Sequence, residues 1–166
     1  MSDLHAIERR LRVAEATNEI IRLKSLYGEF ADAKYTDAFE KKPEAERDAV
    51  AWQQARCFTE DGEFSAGAFG NVSGHQALFE NFRAKAFLFA VHMFANPVIE
   101  VDALAETGTG RWLHHLLIKR DDGECLHGMG YTHDRYRWVA GSWKFARVEV
   151  RLKFLVPFTE PWRPLA

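Results

Sequence analysis

His92 lies inside FAVHMFANPVIEV (residues 89–101), a nearly continuous apolar run. A polar ring among apolar neighbours needs a partner to offset the cost of its burial. In an extended strand His92 shares a face with Ala90 and Phe94, while Val91 and Met93 point the other way. Both faces are therefore apolar. One reading is a core histidine bonded to a backbone carbonyl. The other is a general base, because a neutral imidazole in an apolar site suits proton abstraction near neutral pH. The strand pattern alone does not choose between them.

Tyr27 and Asp32 stand in LYGEFADAKY (residues 26–35), at the end of a long helical pattern. Tyr27 is on the apolar stripe Ile20, Leu23, Tyr27, Phe30. Its hydroxyl is either a satisfied core group or a donor facing a pocket. A helix turns about 100° per residue, which puts Asp32 off that stripe, beside Ile21 and Tyr35. Periodicity makes it a solvated carboxylate unless this last turn borders a cavity. His114 and His115 are adjacent in a strand pattern and face opposite sides, so only one can enter a cavity. Arg147, Glu149, Arg151 and Lys153 share parity with Trp143 and Phe145. Either a twist turns these charges to solvent, or a cation stands at a pocket rim, with Arg151 the better placed.

Other chemistries find no support. Ser65 and Ser73 lack a nucleophile elbow. No H-x-H, H-E-x-x-H or Cys/His cluster asks for a metal, and no G-x-G-x-x-G or P-loop asks for a nucleotide. No cofactor is expected.

These residues need elements to hold them. The period is helical from Ser2 to about Tyr35, and again from Pro43 to about Phe58, where Pro43, Glu44 and Glu46 suit a helix start. A strand is predicted at EFSA (63–66), then a third helix in HQALFENFRAKAFL (75–88) capped by Ser73. Four long strands follow: 90–104, 107–120, 125–139 and 142–156. DDGE and AGS join the last three as hairpins. The tail PFTEPWRPLA, with three prolines, reads as an extended strap. Helices followed by a strand meander give an α+β class in one domain over residues 1–166. A curved sheet around the helices would make a cone with an apolar mouth.

Composition agrees. The 166 residues are 47% hydrophobic and 28% charged, enough for a core and typical of a soluble chain. A net charge of −2 gives no reason to expect nucleic acid or membrane as a partner. Cys57 and Cys125 lie in no C-x-x-C and point to a reducing, cytoplasmic setting. Thirteen Phe, five Trp and four Tyr suit a core and an apolar ligand pocket.

The ordered motifs resemble the SnoaL-like branch of the nuclear transport factor 2-like superfamily. They are I-x2-L-x3-Y-x4-D (Ile20, Leu23, Tyr27, Asp32), FTEDGEF (Phe58 to Phe64) and H-x3-NP-x-IEV around His92. GRW (Gly110 to Trp112) and Y-x4-Y-x6-W-K-F (Tyr131, Tyr136, Trp143, Lys144, Phe145) complete the set. Within that superfamily the chain is most similar to small lyases: scytalone dehydratase, bile-acid 7α-dehydratase and hexachlorocyclohexane dehydrochlorinase. The resemblance implies a cystatin-like α+β barrel, a cone-shaped mixed or antiparallel sheet wrapped around the N-terminal helices. It implies a cofactor-independent dehydratase acting on a hydrophobic polycyclic or steroid-like alcohol, assembled as a dimer or trimer. It assigns His92 as base, Asp32 as the carboxylate that orients it, and Tyr27 as the catalytic tyrosine. His115 would supply a second polar group, with His114 the alternative, and Arg151 could assist the leaving group. The same fold hosts isomerases, polyketide cyclases and non-catalytic dioxygenase β subunits. The segment 33–56 is longer than in the simplest members and would reshape the pocket mouth.

Overall fold

The computed structural model describes residues 2–85, 87–102 and 104–158. Helix α1 spans Ser2–Asp32. Its first half is exposed, and its second half buries Ala16, Ile20, Leu23, Tyr27 and Ala31 in one stripe. Helix α2 (Glu44–Ala55) begins directly after Pro43, which has no N–H to leave unpaired at a helix start. Helix α3 (His75–Arg83) buries Leu78, Phe79 and Phe82. Gly74 rather than Ser73 precedes it, at φ 81°, a left-handed conformation that glycine reaches without strain.

Six strands follow or interleave: β1 (Phe58–Ser65), β2 (Asn71–Ser73), β3 (Phe87–Val101), β4 (Thr107–Arg120), β5 (Cys125–Val139) and β6 (Ser142–Pro157). They form one sheet in the order β2-β1-β6-β5-β4-β3. Strands β3 to β6 are the antiparallel meander read from the sequence. Strand β1 is longer than expected and pairs in parallel with β6, Phe64 opposite Val148, so the sheet is mixed. The chain from Thr159 onward, most of the expected strap, lies outside the described residues.

The expected cone, or α+β barrel, is not what the chain forms. The class is α+β with N-terminal helices and a mixed sheet, but the sheet is open, with β2 and β3 as its two edges. Closure requires strand pairing all the way round. Strand β2 is three residues long and pairs with β1 alone. Strand β3 pairs only with β4. Pro97 fits there because an edge strand carries a row of donors the ladder does not use, and a bulge sits between Ala95 and Val98.

The larger core cluster sets Tyr27 of α1 against Phe58, Phe82 and Phe145, with the Tyr27 and Phe145 rings edge-on at 5.3 Å. A smaller cluster joins Tyr35, Ala90, Leu116, Ile118 and Leu126. The cavity described below lies where the two meet. Gly130, paired with His114, stands at a bulge where an added Cβ would press on the Arg151 carbonyl and approach Leu152 Cα to 2.6 Å. Gly130→Ala should therefore lower the urea midpoint, by overpacking worth about 1–3 kcal/mol. An unchanged midpoint would show that β5 and β6 separate freely there.

Candidate active site

Asp32 is the last residue of α1, and it reaches the edge strand β3. Its Oδ1 lies 2.6 Å from His92 Nδ1, and its Oδ2 accepts the His92 backbone N–H at 3.0 Å. The two bonds fix both the carboxylate and the ring. An ionised carboxylate on Nδ1 takes that nitrogen's proton in hydrogen bond, which leaves the lone pair on Nε2. Among the described residues nothing is hydrogen-bonded to Nε2. The pair is partly open, with side chains 20% and 29% exposed. Asp32 escapes the stripe rule because α1 lies against β3, so the flank of the helix meets protein as well as its apolar face.

His92 lies on the wall of a cavity with Tyr27, Phe94, His114 and Leu116. The cavity has a volume of about 630 Å3, its open mouth included. It is a narrow, mainly apolar slot. The His114 ring lies parallel to that of His92 at 5.8 Å and stacks on Phe94 at 4.8 Å. His114 is buried and neither ring nitrogen has a hydrogen-bond partner. Burial first, then the closeness of a second imidazole at His92 and the Lys24 charge, drive its pKa down to about 2. It is a neutral imidazole with a donor and an acceptor to offer. Burial, and then the Asp134 charge, hold the Tyr27 hydroxyl far above the usual phenol range, so it remains a donor.

Two sequence-derived site residues fall elsewhere. His115 points to the opposite face of the sheet, where its ring packs on His127 at 4.5 Å. Strand alternation forces this once His114 faces the cavity. Arg151 is 62% exposed and donates to Glu149 at 2.7 Å. Val148 and Val150 take the cavity-facing positions on β6, so Arg151 turns away. Among the described residues, no group of three or more His, Cys, Asp or Glu could hold a metal, and no helix is long and apolar enough to cross a membrane.

Comparison with protein families gives a match to the SnoaL-like domain over residues 46–149. The chain belongs to the SnoaL-like domain family. The match includes His92 and His114 but not Tyr27 or Asp32. No match is found among curated proteins. Among solved structures, a type 2 hexachlorocyclohexane dehydrochlorinase is 16% identical, with TM-score 0.72 over 98% of this chain and 97% of that one. A candidate scytalone dehydratase from Novosphingobium aromaticivorans is 19% identical, with TM-score 0.68 over 99% and 97%. An NTF2-like protein from the same species is 21% identical, with TM-score 0.70 over 90% and 89%. At these identities the likeness is one of fold.

The sequence reading of this SnoaL-like chain missed three lysines. Lys24 is wholly buried and bonds Asp134 at 2.7 Å and Thr132 at 2.9 Å. Tyr136 donates to the same Asp134 oxygen at 2.9 Å, and Trp112 donates to Tyr136. Burial lowers the Lys24 pKa while Asp134 opposes the shift. The available signal was position: Lys24 sits between Leu23 and Tyr27 on the apolar stripe, one turn after Ile20. Lys34 and Lys85 line the cavity itself. Burial pulls Lys34 down to about 7, helped by the Lys85 charge and opposed by Asp32, and burial pulls Lys85 to about 8. Their surroundings in sequence, ADAKY and FRAKA, read as ordinary solvated segments.

Proposed function

We propose that this chain is a cofactor-independent lyase that removes water from a flat, hydrophobic, ring-bearing alcohol of polycyclic or steroid-like type. The observation that carries the reading is the 2.6 Å Asp32–His92 contact with Nε2 left free beside an apolar cavity. A purely structural histidine has no need of a carboxylate that fixes its tautomer and of an unspent lone pair. The structurally similar dehydrochlorinase and candidate dehydratase are both named for eliminations.

In this mechanism His92 Nε2 takes a proton from carbon, and the C–H electron pair becomes the new C=C bond. The neighbouring hydroxyl leaves with the C–O pair and departs as water with the proton returned by the imidazolium. Asp32 stabilises that imidazolium while it exists. Tyr27 donates a hydrogen bond to the leaving oxygen, and neutral His114 orients the substrate from the facing strand. Acid–base help of this kind contributes about 10² to 10⁴-fold, and the narrow slot adds positioning.

The test is turnover of a panel of cyclic β-hydroxy ketones and hydroxylated ring systems, followed by mass spectrometry. Loss of one water is expected, and His92→Ala should abolish it. A His92→Ala protein with wild-type kinetics would sink the mechanism. A product of unchanged mass would make the chain an isomerase acting through the same base.

A further inference from the structure

Two amines line the cavity, and among the described residues neither is in an ion pair. Lys34 follows α1 and Lys85 follows α3, and both line the cavity. Lys34 Nζ donates to Gln54 Oε1 at 2.9 Å and to the Phe82 carbonyl at 3.2 Å. Lys85 Nζ donates to Asn81 Oδ1 at 3.1 Å and to the Phe69 carbonyl. Both amines are thus anchored on adjacent residues of α3, Asn81 and Phe82, near enough that the Lys85 charge acts on Lys34.

The bonding is incomplete in the same way at each. An ammonium has three donors, and each lysine spends two on neutral oxygens. Among the described residues neither forms an ion pair, whereas buried Lys24 has Asp134 and Lys41 has Asp121. Lys34 is 5% exposed. An ammonium buried without an ion-pair partner, as at Lys34, is costly, and repulsion from the partly buried Lys85 adds to that cost. The missing element is an anion that accepts the two remaining N–H bonds. The walls around it are Ala31, Phe64, Phe69 and Phe87, which suit a ring rather than a hydrated ion.

We propose that Lys34 and Lys85 form a subsite for an anionic oxygen group, so that the ligand of this cavity is a flat apolar acid, with its carboxylate on the two amines and its ring toward His92. As a statement about substrate this rests on the lyase reading; as a statement about binding it does not. The anion anchors one end of the ligand and fixes which carbon faces Nε2.

The probes are 2-naphthoate, cyclohexanecarboxylate and benzoate, set against 2-naphthalenemethanol and naphthalene-2-carboxamide, with binding followed by calorimetry. At least one acid should bind about tenfold or more tighter than the neutral compounds, the scale of a charged hydrogen bond. Lys34→Met and Lys85→Met should each erase that preference and leave the neutral probes' affinity unchanged. Lys34→Gln and Lys85→Gln, which keep polar contacts, serve if the methionine variants fold poorly. Equal binding of acids and neutral probes, no binding of any acid, or a preference that survives both lysine substitutions would each overturn the subsite. His92→Ala separates the two readings: lost turnover with no acid preference removes only the anion site, and retained turnover removes only the lyase.

Discussion

Asp32→Asn should lower kcat/KM by about 10⁴-fold while leaving the fold intact. The carboxylate accepts two hydrogen bonds, from Nδ1 and from the backbone N–H of His92. Asparagine can keep the backbone bond through its carbonyl, but its amide then presents N–H groups to Nδ1. The imidazole must answer by accepting there, which moves its proton to Nε2 and removes the lone pair from the cavity side. The equivalent change in Ser-His-Asp hydrolases, where a carboxylate also fixes the base's tautomer, costs about 10⁴ in kcat. The thermal midpoint should barely move, because the pair is partly exposed and the replacement is isosteric. A double variant with His92→Ala should be no slower than His92→Ala alone, since residues acting as one unit are not additive. An Asp32→Asn protein with full activity would show that the carboxylate only anchors β3 to α1.

Lys24→Met should be the most destabilising single change among the charged residues discussed. Lys24 and Asp134 are paired at 2.7 Å with side chains 1% and 0% exposed, so no water can replace the lost partner. Removing one member of a buried pair costs about 3–5 kcal/mol, mostly the penalty of the charge left behind. For a chain of this size that is a fall of roughly 6 to 20 °C in Tm. Asp134 also holds the Tyr136 hydroxyl, and through it Trp112, so the loss spreads across β4 and β5. The double variant Lys24→Met, Asp134→Leu should recover much of the stability, because an apolar pair of similar volume leaves no charge unpaired. A single variant that melts within a degree of wild type would show that the pair contributes no net stability. Activity would fall as well, because Lys24 lies 4.1 Å from the Phe94 ring that stacks on His114.

The two effects belong to different parts of the molecule. The Asp32–His92 pair is partly open to solvent and joins the end of α1 to the edge strand β3. The Lys24–Asp134 pair is buried and ties α1 to β5.

Much of this architecture was legible without coordinates. The helical period up to about Phe58 and again over 75–88, the change of period from residue 90 onward and the glycine-bearing turns indicated the order of helices and long strands. His92 was identifiable because an imidazole between apolar neighbours on both strand faces is unusual. Tyr27 was placed on its stripe by simple counting. Other features depended on contacts that counting does not describe. Asp32 reads as solvated because helical periodicity knows only the face a helix turns to the core, and β3 meets α1 along its flank. His114 and His115 are equivalent in sequence until pairing with β3 and β5 fixes which face is inward. Arg151 loses its place at the cavity for the same reason, because Val148 and Val150 occupy the inward parity.

The sequence by itself determined the α+β class, the strand order of the meander and the singular place of His92 in an apolar strand, because these rest on local period and on single residue types. Only the tertiary structure decided that the sheet stays open, since closure depends on whether two distant edges meet. It alone brought Asp32 to His92 across sixty residues and turned His114 inward. It also put Lys34 and Lys85 on the wall of one cavity with no ion-pair partner among the described residues. Side-chain charge is written in the sequence, but whether a charge is solvated, paired or left facing a cavity is a property of packing.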